Sequence, residues 1–220
     1  RMHRGRDISQ SDCGACHDPH ASPVDGLLRR NQHAPFAGGN CATCHTEGGA
    51  AAEAFAIQGD IRPLCIKCHR GAQEYDELAY NHNLDQEGSC VQCHNPHAGE
   101  TPALLLAEET VLCMRCHFNA AEFEKPKEAY LTHDGMDCGQ CHLPHGAENP
   151  GYFVAGETEM CAGCHENAHR SSHPVGPEVI DRRTGEPVTC LSCHQLHGPD
   201  FEDYLPLDPA MDLCIQCHRR

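Results

Sequence analysis

The chain has 220 residues, 32 acidic against 16 basic side chains, a formal net charge of −16 and no tryptophan. Leu, Ile, Val and Phe together number only 35, too few for an ordinary aliphatic core and, at this charge, the profile of a chain that does not fold. The charge argues against nucleic acid and anionic membrane surfaces as partners, and no run of eighteen apolar residues is present to form a transmembrane helix.

Against disorder stand 18 Cys and 19 His. In chain order they form nine C-x-x-C-H motifs. These are Cys13, Cys16 and His17; Cys41, Cys44 and His45; Cys65, Cys68 and His69; Cys90, Cys93 and His94; and Cys113, Cys116 and His117. Then follow Cys138, Cys141 and His142; Cys161, Cys164 and His165; Cys190, Cys193 and His194; and Cys214, Cys217 and His218. Every cysteine is used. C-x-x-C-H is the attachment signature of c-type haem, in which two thioethers anchor the porphyrin and the adjacent His ligates the iron from one side.

Other chemistries fit less well. Zinc sites pair C-x-x-C units but give no reason for a His after every second Cys. A disulfide scaffold fails on the same ground, and thioredoxin-like sites do not come in nines. The expected cofactor is nine covalently bound haem c groups, whose flat apolar porphyrins replace the missing Leu and Val. Because c-type haem is attached outside the cytoplasm, the chain is expected in the periplasm, at the outer membrane or outside the cell, after removal of a signal peptide.

The first cysteines of successive motifs lie 28, 24, 25, 23, 25, 23, 29 and 24 residues apart, so grouping by two gives a period of about 50 residues. Similar text precedes each second motif: FAIQGDIRPLCIKCH (55–69), LLLAEETVLCMRCH (104–117), YFVAGETEMCAGCH (152–165) and YLPLDPAMDLCIQCH (204–218). The first motifs of three pairs read CHNPH (93–97), CHLPH (141–145) and CHQLH (193–197). The plan is one leading single-haem segment (1–32) and four two-haem repeats (33–81, 82–130, 131–170 and 171–220) in one continuous haem-cored domain. Helices are expected over 62–80 and 108–124, with Pro126 beyond the second; no alternation predicts strands. The fold class is mostly irregular with short α-helices, organised around a stacked haem chain, with little or no β-structure.

Nine proximal histidines leave ten others: His3, His20, His33, His82, His97, His133, His145, His169, His173 and His197. Eight recur in phase with the repeats and are expected as distal ligands: His20, His33, His82, His97, His133, His145, His173 and His197. One of His3 or His169 supplies the ninth. Bis-histidine ligation leaves no open iron position, so the expected chemistry is electron transfer at low potential, without catalysis. His20 follows His17 too closely to reach the opposite face of the same porphyrin. Three residues span at most roughly 10 Å, so its haem must lie beside the first, with Pro19 stiffening the link.

CHDPH (16–20), CHNPH and CHLPH, each followed by another CxxCH about twenty to thirty residues on, resemble the doubled-CxxCH multihaem c-type cytochromes. That group includes the periplasmic decahaem subunit of porin–cytochrome conduits and the pentahaem donor to nitrite reductase. The resemblance implies a line of stacked bis-histidine haems carrying electrons through or beyond the envelope. It also implies partners that are redox proteins or copies of the chain, including an outer-membrane porin or a filament. The chain departs from the group in having nine motifs and in CHTEG (44–48), which lacks the second His. Both an envelope conduit and a polymerising extracellular cytochrome, a nanowire, stay open; His3 at one end and CIQCHRR (214–220) at the other suit the latter. A multihaem reductase needs a five-coordinate haem, often with Lys in place of the motif His, and no CxxCK occurs.

Overall fold

The computed structural model describes residues 3, 8–9, 11–46, 55–82, 89–117, 133, 136–166, 168, 173 and 175–218. The chain divides into two compact units, Arg1–Leu112 and Cys113–Arg220, and the same local pattern recurs in each. In the first unit, helix α1 spans Ala34–Ala37, α2 Ile61–Ile66 and α3 Ser89–Cys93, and α4 (Glu109–His117) crosses the boundary. In the second, α5 spans Glu157–Ala162 and α6 Asp212–Ile215.

The two motifs of a pair are built differently. Apart from Cys90–Cys93, which lies in α3, the first motifs occupy one tight turn, the 3₁₀ turns Cys13–Ala15, Cys41–Thr43, Cys138–Gln140 and Cys190–Ser192. A polar residue stands before the first Cys of each (Asp12, Asn40, Asp137, Thr189), which is where a short turn needs a side-chain acceptor for its unpaired N–H groups. Asp12 accepts the Gly14 amide at 2.9 Å. Asp137 with Gln140, and Thr189 with Ser192, form reciprocal capping boxes. Second motifs sit instead at the ends of α2, α4, α5 and α6.

The helix expected over 62–80 is interrupted. α2 stops at Ile66, His69 leaves helical geometry at φ −90° and ψ 60°, and a 3₁₀ helix follows over Arg70–Glu77. The break lets the Arg62 guanidinium reach the Asp76 carboxylate and approach the Ala72 carbonyl at 3.4 Å. In a continuous helix, residues 62 and 76 would stand about 21 Å apart.

Sheet structure is slight. Asn31–Gln32 pairs antiparallel with Ala98–Gly99 in the first unit, in the register Asn31 to Gly99 and Gln32 to Ala98. In the second unit Gly176–Ile180 pairs with Pro187–Val188 as an irregular hairpin, an element too short and too weakly alternating to read from sequence.

Among the described residues the buried hydrophobic side chains are only Ala98, Leu112, Ala147, Val188 and Leu205. Leu27, Ile57, Leu106 and Val154, each next to a first motif's turn, are exposed. Among the described residues the aliphatic core is therefore slight, and large apolar side chains stand exposed beside the motif turns.

Candidate haem sites

Each motif makes one closed turn. The amide of the motif histidine donates to the carbonyl of the first Cys at 2.9 Å for His17, His45, His69, His94, His142, His165 and His194, and at 3.0 Å for His218. In the remaining motif, Cys113 to His117 closes α4. Residues i, i+3 and i+4 of such a turn share one face. Both thioether sulfurs and the imidazole can therefore address one porphyrin.

The histidine of each first motif is oriented by a second device. Its Nδ1 bonds a backbone carbonyl nine or ten residues on: His17 to Gly26 (2.8 Å), His45 to Phe55 (2.8 Å), His94 to Ala103 (2.8 Å), His142 to Gly151 (2.6 Å) and His194 to Asp203 (2.8 Å). A carbonyl only accepts, so Nδ1 carries the proton and Nε2 presents its lone pair, the tautomer that an iron ligand needs.

Four of these carbonyls belong to turns with two consecutive left-handed residues: Gly26–Leu27 (φ 75° and 57°), Ala103–Leu104 (51° and 57°), Gly151–Tyr152 (68° and 61°) and Asp203–Tyr204 (58° and 58°). Left-handed geometry at both central residues is the mark of a type I′ turn. A non-glycine residue there costs roughly 1–2 kcal/mol.

The segment after the turn folds back on the motif and holds it. The Asp18 amide donates to Leu27 O at 2.7 Å and the Arg29 amide to Cys16 O at 2.9 Å; the amides of Asn95, to Leu104 O, and Leu106, to Cys93 O, match them at 2.7 and 2.9 Å. Leu143 to Tyr152 O and Val154 to Cys141 O repeat the clasp at 2.7 and 3.0 Å. In the last repeat Gln195 donates to Tyr204 O at 2.7 Å, but position 206 is proline and has no N–H to complete the pair. These carbonyl partners were not anticipated from the sequence; the recurring GLL, ALL, GYF and DYL runs were their signal.

The structure brings six motif histidines close to another histidine, stacked in three pairs (His33 with His69, His45 with His97, His142 with His197) and tilted or edge-on in the other three. In the first unit, His17 lies 6.0 Å from His3 between ring centroids, His69 5.9 Å from His33 and His45 5.8 Å from His97. In the second, His165 lies 6.0 Å from His133, His142 6.1 Å from His197 and His218 6.2 Å from His173. Nε2 of His45 and Nε2 of His97 approach to 3.5 Å.

Metal–imidazole bonds are about 2 Å long, so an iron between two such nitrogens needs about 4 Å. A small opening of the pair suffices. His33 also holds its Nδ1 on the Pro96 carbonyl at 2.9 Å, again freeing Nε2. Burial, then the positive ends of His45 and His33, push the His97 imidazole below its ordinary range and so favour the neutral, ligating form.

Two registers organise five of these pairs, all but His3 with His17. A histidine upstream of a repeat meets that repeat's second motif, as in His33 with His69, His133 with His165 and His173 with His218. The second histidine of a first motif meets the first motif of the preceding repeat, as in His97 with His45 and His197 with His142. His20 is exposed, with its backbone N–H on Asp18 at 3.0 Å. His82, His94, His117, His145 and His194 lie in the described residues, each with further interactions. His169 lies outside the described residues.

The attachment sulfurs of successive motifs adjoin. Cys65 and Cys90 are hydrogen-bonded, with Cys44 nearby. The Cys161 thiol lies within hydrogen-bond reach of the free Cys190 thiol with Cys141 nearby, and burial followed by Cys190 pushes it up to about 11. Cys193 has Cys217 and Cys214 as neighbours. Once haem is attached these sulfurs are thioethers, and only their positions carry over.

Among the described residues no three His, Cys, Asp or Glu side chains converge as in a protein-only metal site. Closed motif turns, oriented Nε2 atoms and opposed imidazoles fit c-type haem instead.

A family model for the Doubled CXXCH motif matches residues 7–32, 33–74, 82–122, 132–170 and 183–220. The chain therefore belongs to the doubled-CXXCH family, typical of multihaem c-type cytochromes, and binds haem c covalently through these motifs. No curated protein matches it. No helix among the described residues is long and apolar enough to cross a membrane.

Proposed function

We propose that the chain is a nine-haem cytochrome that carries electrons along closely spaced bis-histidine haems. The proximal ligands would be the nine motif histidines. The distal ligands would be His3, His33, His97, His133, His173 and His197 for the pairs above, with His145 and His82 serving His94 and His117 in the same two registers and His169, the one histidine then left besides His20, serving His194. The observation that carries this reading is the opposition of His45 and His97, whose Nε2 atoms stand within about half an ångström of the separation that one shared iron needs.

Adjacency of the Cys65 and Cys90 sulfurs, and of Cys161 and Cys190, supports short edge-to-edge hops between haems. Haem c supplies a one-electron Fe(III)/Fe(II) couple; the protein orients Nε2, excludes water from the iron and fixes the spacing. Low potential follows from bis-histidine ligation. Attachment chemistry places the work outside the cytoplasm, in the periplasm, at the outer membrane or beyond it, with redox proteins as partners. Mass spectrometry of the holoprotein tests the stoichiometry: nine covalent haems are expected, and a smaller integer at full maturation overturns the count.

A second reading, assembly into an extended cytochrome wire, is favoured by His20. Its counterparts His97 and His197 each serve a haem one repeat earlier in the chain. The same register directs His20 to a haem outside residues 13–218, on this or another polypeptide. Electron microscopy of the native assembly separates the readings: filaments support the wire, and discrete particles at high concentration contradict it.

A further inference from the structure

The last repeat contains an insertion. His173 stands 17 residues before Cys190, whereas the upstream histidines His33 and His82 stand 8 residues before their motifs. The added chain forms the Gly176–Ile180 and Pro187–Val188 hairpin, and its tip carries Asp181 and Arg183.

Asp181 is only 3% exposed. Its carboxylate accepts the Arg183 backbone amide at 2.8 Å and takes the guanidinium in a fork, from Nε at 3.0 Å to each oxygen and from Nη2 at 2.6 Å. The guanidinium then reaches two haem-attachment turns at once. Nη2 donates to the Ser192 carbonyl at 3.3 Å, within CLSCH, and Nη1 donates to the Gln216 side chain, within CIQCH. Asp181 Oδ1 lies 3.8 Å from the Cys217 sulfur.

A planar five-donor group can bracket two backbones in a way a lysine cannot. Asp181 is buried and the Arg183 side chain 32% exposed, so the pair acts through a lower effective dielectric than two charges fully in water.

We propose that Arg183, held by Asp181, is a positioning residue that locks the eighth and ninth attachment turns together and sets the electric field on their haems. The proposal rests on the haem reading above. Reduction of a ferric haem adds one electron and lowers its charge by one. The cation therefore favours the reduced form and the carboxylate the oxidised form. The two charges pull the potential of the same two haems in opposite directions, and this sign pattern separates a field from a merely mechanical brace.

The test uses the full-length holoprotein and its R183Q, D181N and R183K variants, with haem content counted and each titrated spectroelectrochemically. R183Q is expected to shift a two-haem portion of the curve downward and D181N to shift the same portion upward. Each shift corresponds to a change in the oxidised-to-reduced ratio on the order of tenfold at fixed potential. R183K keeps the charge and loses the fork: its potentials stay near wild type while the hairpin amides exchange faster. Unchanged curves, or shifts of the same sign in R183Q and D181N with full haem content, overturn the proposal. If R183Q fails to mature, R183K with D181N still decides it. Absence of haem on the wild-type peptides that contain Cys190 and Cys214 would sink the haem reading itself, a separate outcome.

Discussion

Nε2 of His45 faces Nε2 of His97 at 3.5 Å, the two rings 23° from parallel, although 52 residues separate them. The contact is held from behind. His45 is fixed through its Nδ1 on Phe55 O, and the His97 amide donates to the Asn95 side chain at 2.9 Å. The His97 carbonyl in turn accepts the His33 amide at 2.9 Å, which couples two of the proposed distal ligands.

Removing His97 should therefore open one iron and leave covalent attachment intact. In H97A we expect full haem content and a new high-spin ferric signal worth one haem in electron paramagnetic resonance. In H97M that haem is expected to stay low-spin with a raised potential, as Met/His ligation does in cytochromes. A wholly low-spin H97A spectrum would show that another group caps this iron.

His20 offers the contrasting case. It is exposed and its register leads outside residues 13–218. H20A should leave the low-spin spectrum of the isolated chain unchanged and weaken only its association with a partner, measured by sedimentation. A high-spin signal in dilute H20A would reassign His20 to a haem of this chain.

The left-handed turns give a stability comparison. A Cβ at Gly26 meets nothing within 4 Å, whereas one at Gly151 meets the Phe153 ring at 3.3 Å, and that ring stacks on His142 at 5.2 Å. G26A should cost about 1 kcal/mol from its backbone alone. G151A should cost more in denaturant unfolding and should also perturb the His142 haem spectrum, which G26A leaves as it is.

Acid should release the C-terminal hairpin. Hydrogen bonding to the Arg183 side chain, then to its backbone amide, holds the Asp181 carboxyl down at about 2 against an ordinary 3.8. A depressed carboxylate contributes stability that is complete above the ordinary value and lost as pH falls toward the folded one. Exchange of the 176–188 amides should accelerate between about pH 4 and 2 in the wild type and show no such step in D181N.

Much of this was legible in the sequence because covalent chemistry wrote it there. C-x-x-C-H fixes attachment and one ligand, and the phase of His33, His97, His133, His173 and His197 pointed to the imidazoles that meet motif histidines in space. What stayed hidden depends on backbone geometry. The Nδ1 acceptors are carbonyls, which every residue carries, and only a left-handed pair such as Ala103–Leu104 aims one at His94. The helix expected over 62–80 is broken where His69 leaves helical geometry, and Arg62 there reaches Asp76. The hairpin around Asp181 carries too few alternating residues to announce itself. The interleaved register, in which His97 meets His45 of the preceding repeat, could not be read from spacing alone, because His97 lies three residues from His94 and 52 from His45.

Low-temperature electron paramagnetic resonance of the fully oxidised holoprotein, integrated against its haem content, tests the central claim most directly. Nine haems of bis-histidine type predict low-spin ferric signals alone, broadened by coupling between neighbours. A high-spin component amounting to one haem or more would contradict complete histidine ligation and return an open, reactive iron to the molecule.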